Sequence, residues 1–341
     1  MGVRLDPSDE YMHELGPEPN FNESMYVNCF DPDHQIGGWF RLGNRANEGY
    51  AEMTVCLYLP DGRVGFMFAR PEIAHNDAFD AGGLTWTMVR PFEELRVDYT
   101  GRVVLLDDPL QMTNPKQAFT TNPHVDCDIH LTFTGLGRAS MFGGEPDTPH
   151  EVAGEEFAKG HYEQLVQGSG SLTVGDRSWN IAGSGLRDHS WGPRYWQAPW
   201  YYRWLTASFG PDFGFMASRV ARRDGPGTRG GFVWEDGRLH VCDHTEVRTR
   251  YRGSESYHHE VEGLLRSSRS ERQWRFTGTV THLIPLRNRR QSPEGNWLTT
   301  RISEGMTRWT MTAGPATGRV GYGLSEYLDQ IVDGQPVGVA E

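Results

Sequence analysis

In the run Gly183-Ser184-Gly185-Leu186-Arg187-Asp188-His189-Ser190-Trp191-Gly192-Pro193-Arg194, an acid, a base, a large aromatic ring and two arginines fall close together between glycines. Asp188 is the candidate proton donor. A carboxylic acid kept in a dry pocket has a raised pKa and suits protonation of a poor base such as an alkene carbon. His189 is its partner, or the base that activates water. Trp191 offers a π face to developing positive charge. The plainer reading is a turn with a capped Asp and a core Trp. Neighbours on a regular strand point to opposite faces, so joint action of Asp188 and His189 needs the glycines and Pro193 to bend the chain.

Other residues extend this set. Arg187 and Arg194 read as a clamp for a carboxylate or phosphate, or else as partners of backbone carbonyls and Asp. Trp196, Trp200, Tyr201 and Trp204 follow at once, beside Tyr195 and Tyr202, and suggest walls for an apolar ligand. His161 and Glu163 form a His-x-Glu pair that shares one face of a strand, as pocket residues or as a structural pair. His258-His259 and His240/His244 could suggest metal, but adjacent histidines chelate poorly on a strand, and no HExxH and no facial triad is present. No metal and no cofactor is therefore expected. The absence of a Gly-x-Ser-x-Gly elbow, a P-loop and a Gly-x-Gly-x-x-Gly turn leaves hydrolase, NTPase and nicotinamide chemistry without support.

The elements that must hold these residues read as β. A chain of 341 residues exceeds one ordinary core, so two domains are expected. Aromatic residues at 12 %, with 41 Gly and 20 Pro, favour short strands joined by tight turns. Strand patterns occur at Met25–Phe30, Gly37–Leu42, Tyr50–Leu59, Val64–Ala69, Leu84–Val89, Leu95–Tyr99, Arg102–Leu106 and Cys127–Thr134. They recur at Trp204–Phe209, Phe213–Val220 and Gly230–Trp234. Asp61-Gly62 and Asp236-Gly237 are hairpin signals. The similar grammar of the two halves suggests a weak internal duplication. Residues 1–20 read as a loosely packed arm, and a Gly/Pro-rich loop spans Gly135 to Gly154. Helix competes with strand at Glu155–Leu165, and Ser325–Val332 is the other stretch with helical spacing.

The formal net charge of -12 argues against nucleic acid or an anionic membrane as partner and makes Arg287-Asn288-Arg289-Arg290 a solvated loop. The polar N-terminus carries no apolar signal core, and no apolar run is long enough to span a membrane. Cys29, Cys56, Cys127 and Cys242 are widely spaced, which fits buried reduced thiols in a cytoplasmic protein.

Asp188-His189-Ser190-Trp191-Gly192 resembles the Asp-His-Asn-Trp-Gly signature of the carotenoid 1,2-hydratase superfamily, to which kievitone hydratase-type proteins and lipocalin-like pericyclases are related. Gly37-Gly38-Trp39-Phe40-Arg41-Leu42-Gly43-Asn44 and His161-Tyr162-Glu163-Gln164 add to the likeness, most of all to a bacterial branch, over residues 20–325. Ser190 stands where that family commonly has Asn. The resemblance implies an all-β protein of two tandem lipocalin-like barrel or sandwich domains with the active pocket between them. Here these would be residues 15–185 and 186–330. It also implies chemistry without metal or organic cofactor.

The expected function is that of a cofactor-independent lyase or hydratase. Acid–base chemistry would act on a hydrophobic isoprenoid, phenolic or steroid-like molecule, by water addition or elimination or related C–C or C–O cleavage. Asp188, His189 and Trp191 would be catalytic. His161, Glu163, Arg187, Arg194, Trp196, Trp200, Tyr201 and Trp204 would bind substrate, with Asp188, His189, Trp191 and His161 lining one cavity. The alternative is a non-catalytic carrier of the same ligands, and self-association into a homo-oligomer stays open.

Overall fold

The computed structural model describes residues 3–146, 157–224, 226–292 and 295–340. The chain divides into two compact units, Met1–Asp108 with Lys116–Tyr195, and Pro109–Pro115 with Trp196–Glu341.

The first unit contains β1 (Val3–Arg4), β2 (Phe21–Asp31), β3 (Ile36–Arg45), β4 (Tyr50–Tyr58), β5 (Val64–Ala69) and β6 (Asp80–Ala81). It continues with β7 (Leu84–Arg90), β8 (Glu94–Leu106), β9 (His124–Gly135), β10 (Phe142–Pro146), β11 (Gly160–Val174) and β12 (Arg177–Pro193). The short α1 (Pro115–Thr121) precedes β9. Strands pair antiparallel along the path β11-β12-β2-β3-β4-β5-β8, and β9 pairs with both β8 and β11, so the path closes on itself. Closure removes free edges along this ring. Period-two alternation turns Met25, Val27 and Cys29 of β2 into one core with Phe40, Leu42, Val55, Leu95, Ile129 and Phe133.

The second unit holds β13 (Tyr201–Ser208), β14 (Phe213–Ala221), β15 (Thr228–Glu235), β16 (Arg238–Cys242) and β17 (His244–Arg252). It ends with β18 (Tyr257–Ser267), β19 (Arg272–Gln291), β20 (Trp297–Ala313), β21 (Val320–Val332) and β22 (Gln335–Pro336). Its sheet runs β16-β15-β14-β13-β21-β20-β19-β18-β17 around a separate core. There Phe215 stacks on Phe276 at 4.3 Å beside Trp309. The protein is all-β and lipocalin-like. Its four cysteines are free and buried. Among the described residues no helix is long and apolar enough to cross a membrane.

Several local expectations change. Leu95–Tyr99 and Arg102–Leu106 are one strand, β8. Ser325–Val332 lies in β21, where burial on both faces hides the alternation that marks a strand. Glu155–Leu165 resolves to strand from Gly160, with 155 and 156 outside the described residues. The loop after Gly135 contains β10, and its residues 147–154 also lie outside them. The boundary expected between 185 and 186 falls inside β12, an unbroken 17-residue strand, and the first unit runs on to Tyr195. The arm of residues 3–20 is not loose throughout, because Asp9 and Glu10 are buried.

Candidate active site

The Asp-His motif is a strand, not a turn. Gly183 and Gly185 let β12 press against β2: a Cβ on Gly185 would stand 1.8 Å from the Asn28 carbonyl oxygen, and one on Gly183 2.5 Å from that of Phe30. Within the motif, left-handed backbone occurs at Gly192, with φ +111. The ladder is unbroken through the key residues, with Asp188 opposite Tyr26 and Glu163, and His189 opposite Met25 and Tyr162. Asp188 and His189 therefore project to opposite faces of β12. The expectation that both line one cavity with Trp191 is corrected by this regular register.

The inner face carries Arg187, His189 and Trp191. All three are buried. Arg187 donates to Glu10 Oε2 at 3.0 Å and Oε1 at 2.7 Å, and to Gln164 Oε1 at 2.9 and 2.7 Å. Burial disfavours its charge, but Tyr162 and Glu10 beside it keep its pKa above the usual arginine value. The Tyr162 hydroxyl donates to Glu10 at 2.5 Å and lies 3.3 Å from His189 Nδ1. Burial, then the Glu10 charge, pushes that phenol well above 10. On its other side His189 Nε2 is 2.6 Å from Glu23 Oε1, which is 2.9 Å from His13 Nδ1. Burial alone would raise the Glu23 pKa, yet its contacts with His13 and His189 bring it down to about 2. His13 stacks on Trp191 at 3.9 Å. Arg187 is thus not a ligand clamp, and Trp191 turns its π face to His13, because the N-terminal arm folds onto this face.

The outer face carries Asp188, with His161 and Glu163 of β11 beside it. His161 Nε2 lies 3.7 Å from Asp188 Oδ2 and 3.6 Å from Glu163 Oε1. Glu163 is buried, whereas the side chains of His161 and Asp188 are 40 % and 21 % exposed, so solvent reaches these two. Desolvation opposes charge on His161, but the Asp188 contact and the Glu163 charge outweigh it and raise the imidazole above 6.5. Arg194 donates to Ser190 Oγ at 2.7 Å and to the Phe157 carbonyl at 3.1 Å. Ser190 is therefore held by protein.

Trp196, Trp200, Tyr201 and Trp204 belong to the second unit. Tyr201 is buried under Arg203 and Arg219. Arg223 covers the Trp200 ring at 4.4 Å, and the Trp196 carbonyl accepts from Gln330. Trp204 is half-buried on β13 opposite Ser218 and Glu326.

Glu10, His13, Glu23, Tyr162 and Gln164 escaped the sequence reading as site residues. They come from the arm, β2 and β11, and no fixed spacing links them. The one available signal was the alternation that sets Glu23 on the face of Met25 and Val27. His13, Glu23 and His189 bring three donor atoms within 4.8 Å of one another, a set able to hold a metal ion that no local motif announces.

The family described as "Domain of unknown function (DUF7064)" matches residues 6–331. No curated protein matches. Among solved structures the chain is similar to kievitone hydratase from Nectria haematococca, with TM-score 0.61, 12 % identity, and 96 % of this chain and 93 % of that one covered. It is also similar to CghA with Sch210972, with TM-score 0.55 and 12 % identity over 95 % and 96 % of the two chains. A second CghA structure gives 0.54 and 12 % over 91 % and 88 %. At this identity the likeness is one of fold.

Proposed function

The chain belongs to the DUF7064 family, whose description assigns no activity, and from that premise we propose a cofactor-independent lyase of the hydratase type. It acts on a hydrophobic isoprenoid, phenolic or steroid-like molecule. The observation that carries this reading is the solvent-reached His161–Asp188 pair, at 3.7 Å, with buried Glu163 behind it. The fold shared with kievitone hydratase agrees with it.

The Asp188 contact and the Glu163 charge raise the His161 imidazole above 6.5, which favours its use as the proton donor. His161 protonates one alkene carbon, leaving a cation at the other. Water adds there, and its departing proton goes to the Asp188 carboxylate. Transfer from Asp188 to His161 resets the pair, so the net change is one water added. Run backwards, the same steps eliminate water. Arg194 holds Ser190, and the inner-face cluster fixes β11 and β12 as the base from which the pair projects.

The test is incubation with a panel of prenylated phenols and isoprenoids in ¹⁸O-labelled water. A hydratase transfers one ¹⁸O to product, with a rate that falls as pH rises through the His161 pKa. Binding of the same molecules without label in any of them would sink the lyase and leave a carrier.

A further inference from the structure

The inner face of the first unit supports a second, separate inference, drawn from which way its polar atoms point. Glu10 accepts from the Tyr162 hydroxyl at 2.5 Å and from both terminal nitrogens of Arg187. With its proton committed to Glu10, the Tyr162 oxygen faces His189 Nδ1 as an acceptor, at 3.3 Å. That contact suits an N–H at Nδ1 and leaves Nε2, 2.6 Å from Glu23 Oε1, as the ring atom that would bind an ion by giving up its hydrogen bond to Glu23. His13 turns Nδ1 to Glu23, and its Nε2 lies 3.5 Å from the Asp9 carboxylate without a hydrogen bond to it. Glu23 Oε2 is held from behind by the His13 backbone N–H at 3.0 Å and Asn76 Nδ2 at 3.4 Å. Oε1 is left toward both rings, 2.6 Å from His189 Nε2 and 2.9 Å from His13 Nδ1. Three possible ligand atoms thus converge within 4.8 Å of one another, and those of His189 and Glu23 are backed by outer partners, as around protein-bound metals. With bonds of about 2.1 Å, such separations subtend roughly 75–90° at an ion. Those are adjacent corners of a five- or six-coordinate site, not a closed tetrahedron.

We propose that His13, Glu23 and His189 hold one divalent first-row transition-metal ion that fastens the N-terminal arm across the inner face of β2 and β12. The ligands come from the arm and from two strands, so binding the ion couples to docking of the arm. His161 and Asp188 take no part, being on the reverse of the sheet.

Full-length protein would be stripped with chelator, desalted and titrated with Co²⁺, following d–d absorbance, bound metal by elemental analysis, and thermal melting. Wild type should retain about one equivalent, the number such a three-ligand set holds, and should melt higher with metal than without. Glu23→Gln and His13→Gln should lose both the ion and the melting shift. His13→Gln alters only the arm, and near-identical circular dichroism would show that the sheet has formed. His161→Gln should keep the ion, so this proposal and the proton-transfer reading fail separately. Equal Co²⁺ retention in wild type and His13→Gln, or a wild-type melt indifferent to metal, overturns the site.

Discussion

At the scale of single residues, the unusual feature is charge buried with its partner supplied by the arm. Glu10 and Arg187 are both almost fully enclosed. Removing one member of such a pair strands the other charge in a poor dielectric. Glu10→Ala should therefore cost about 3–5 kcal/mol in urea unfolding. Removing the exposed pair Arg90–Glu94 should cost about 0–1 kcal/mol. A similar small cost for Glu10→Ala would mean that the arm does not dock as described. Sequence alone offered Arg187 with two readings, a ligand clamp or a partner of protein groups. The protein partner prevailed, but it is Glu10, distant along the chain and in a segment whose polar composition suggested looseness. No periodicity marks such a pairing, which is why it was not legible.

At the scale of elements, most strands were legible because one face is polar. Val64–Ala69 was read with its observed bounds. The Asp236-Gly237 hairpin also formed, with φ 48 and 81 at its two residues, the mirror-image turn that suits a twisted ribbon. The motif strand β12 was not legible as a strand, since its glycines serve close approach rather than a turn. Gly185→Ala should disrupt the β2–β12 ladder, because the added Cβ would lie 1.8 Å from a backbone oxygen that cannot retreat without breaking pairing. Gly62→Ala meets nothing within 4 Å and faces only the strain of φ +90. Its cost should be about 1–3 kcal/mol. A thermal melt of both variants checks the order, and a milder effect for Gly185→Ala would contradict the packing. In β18, His258 stacks on Tyr327 at 4.0 Å. Burial, aided by Arg203, lowers its pKa from 6.5 to about 3. The unfolded chain then takes up a proton that the folded one refuses, so stability should fall as pH drops from about 6.5 toward 3. Denaturant unfolding at several pH values should show that slope, reduced in His258→Gln. An unchanged slope would remove His258 as its source.

At the scale of the whole molecule, an all-β chain with two separate cores was expected, and its fold is the one shared with kievitone hydratase and CghA. What the sequence could not separate was the two sides of one strand. Asp188 and His189 look like a pair when read in a line, yet the pleat assigns them to different faces. His189 and Trp191 join a closed, buried cluster, while Asp188 meets His161 where solvent reaches. The central claim is that proton transfer belongs to the outer face. The direct measurement is turnover and melting temperature for Asp188→Asn beside His189→Gln, on any substrate that wild type converts. Asp188→Asn should lose about 100-fold or more in rate, the scale of a general acid or base, while melting near wild type. His189→Gln should lower the melting temperature first and keep measurable turnover where it remains folded. Near wild-type turnover in Asp188→Asn, or rate loss in His189→Gln without any loss of stability, would contradict the assignment.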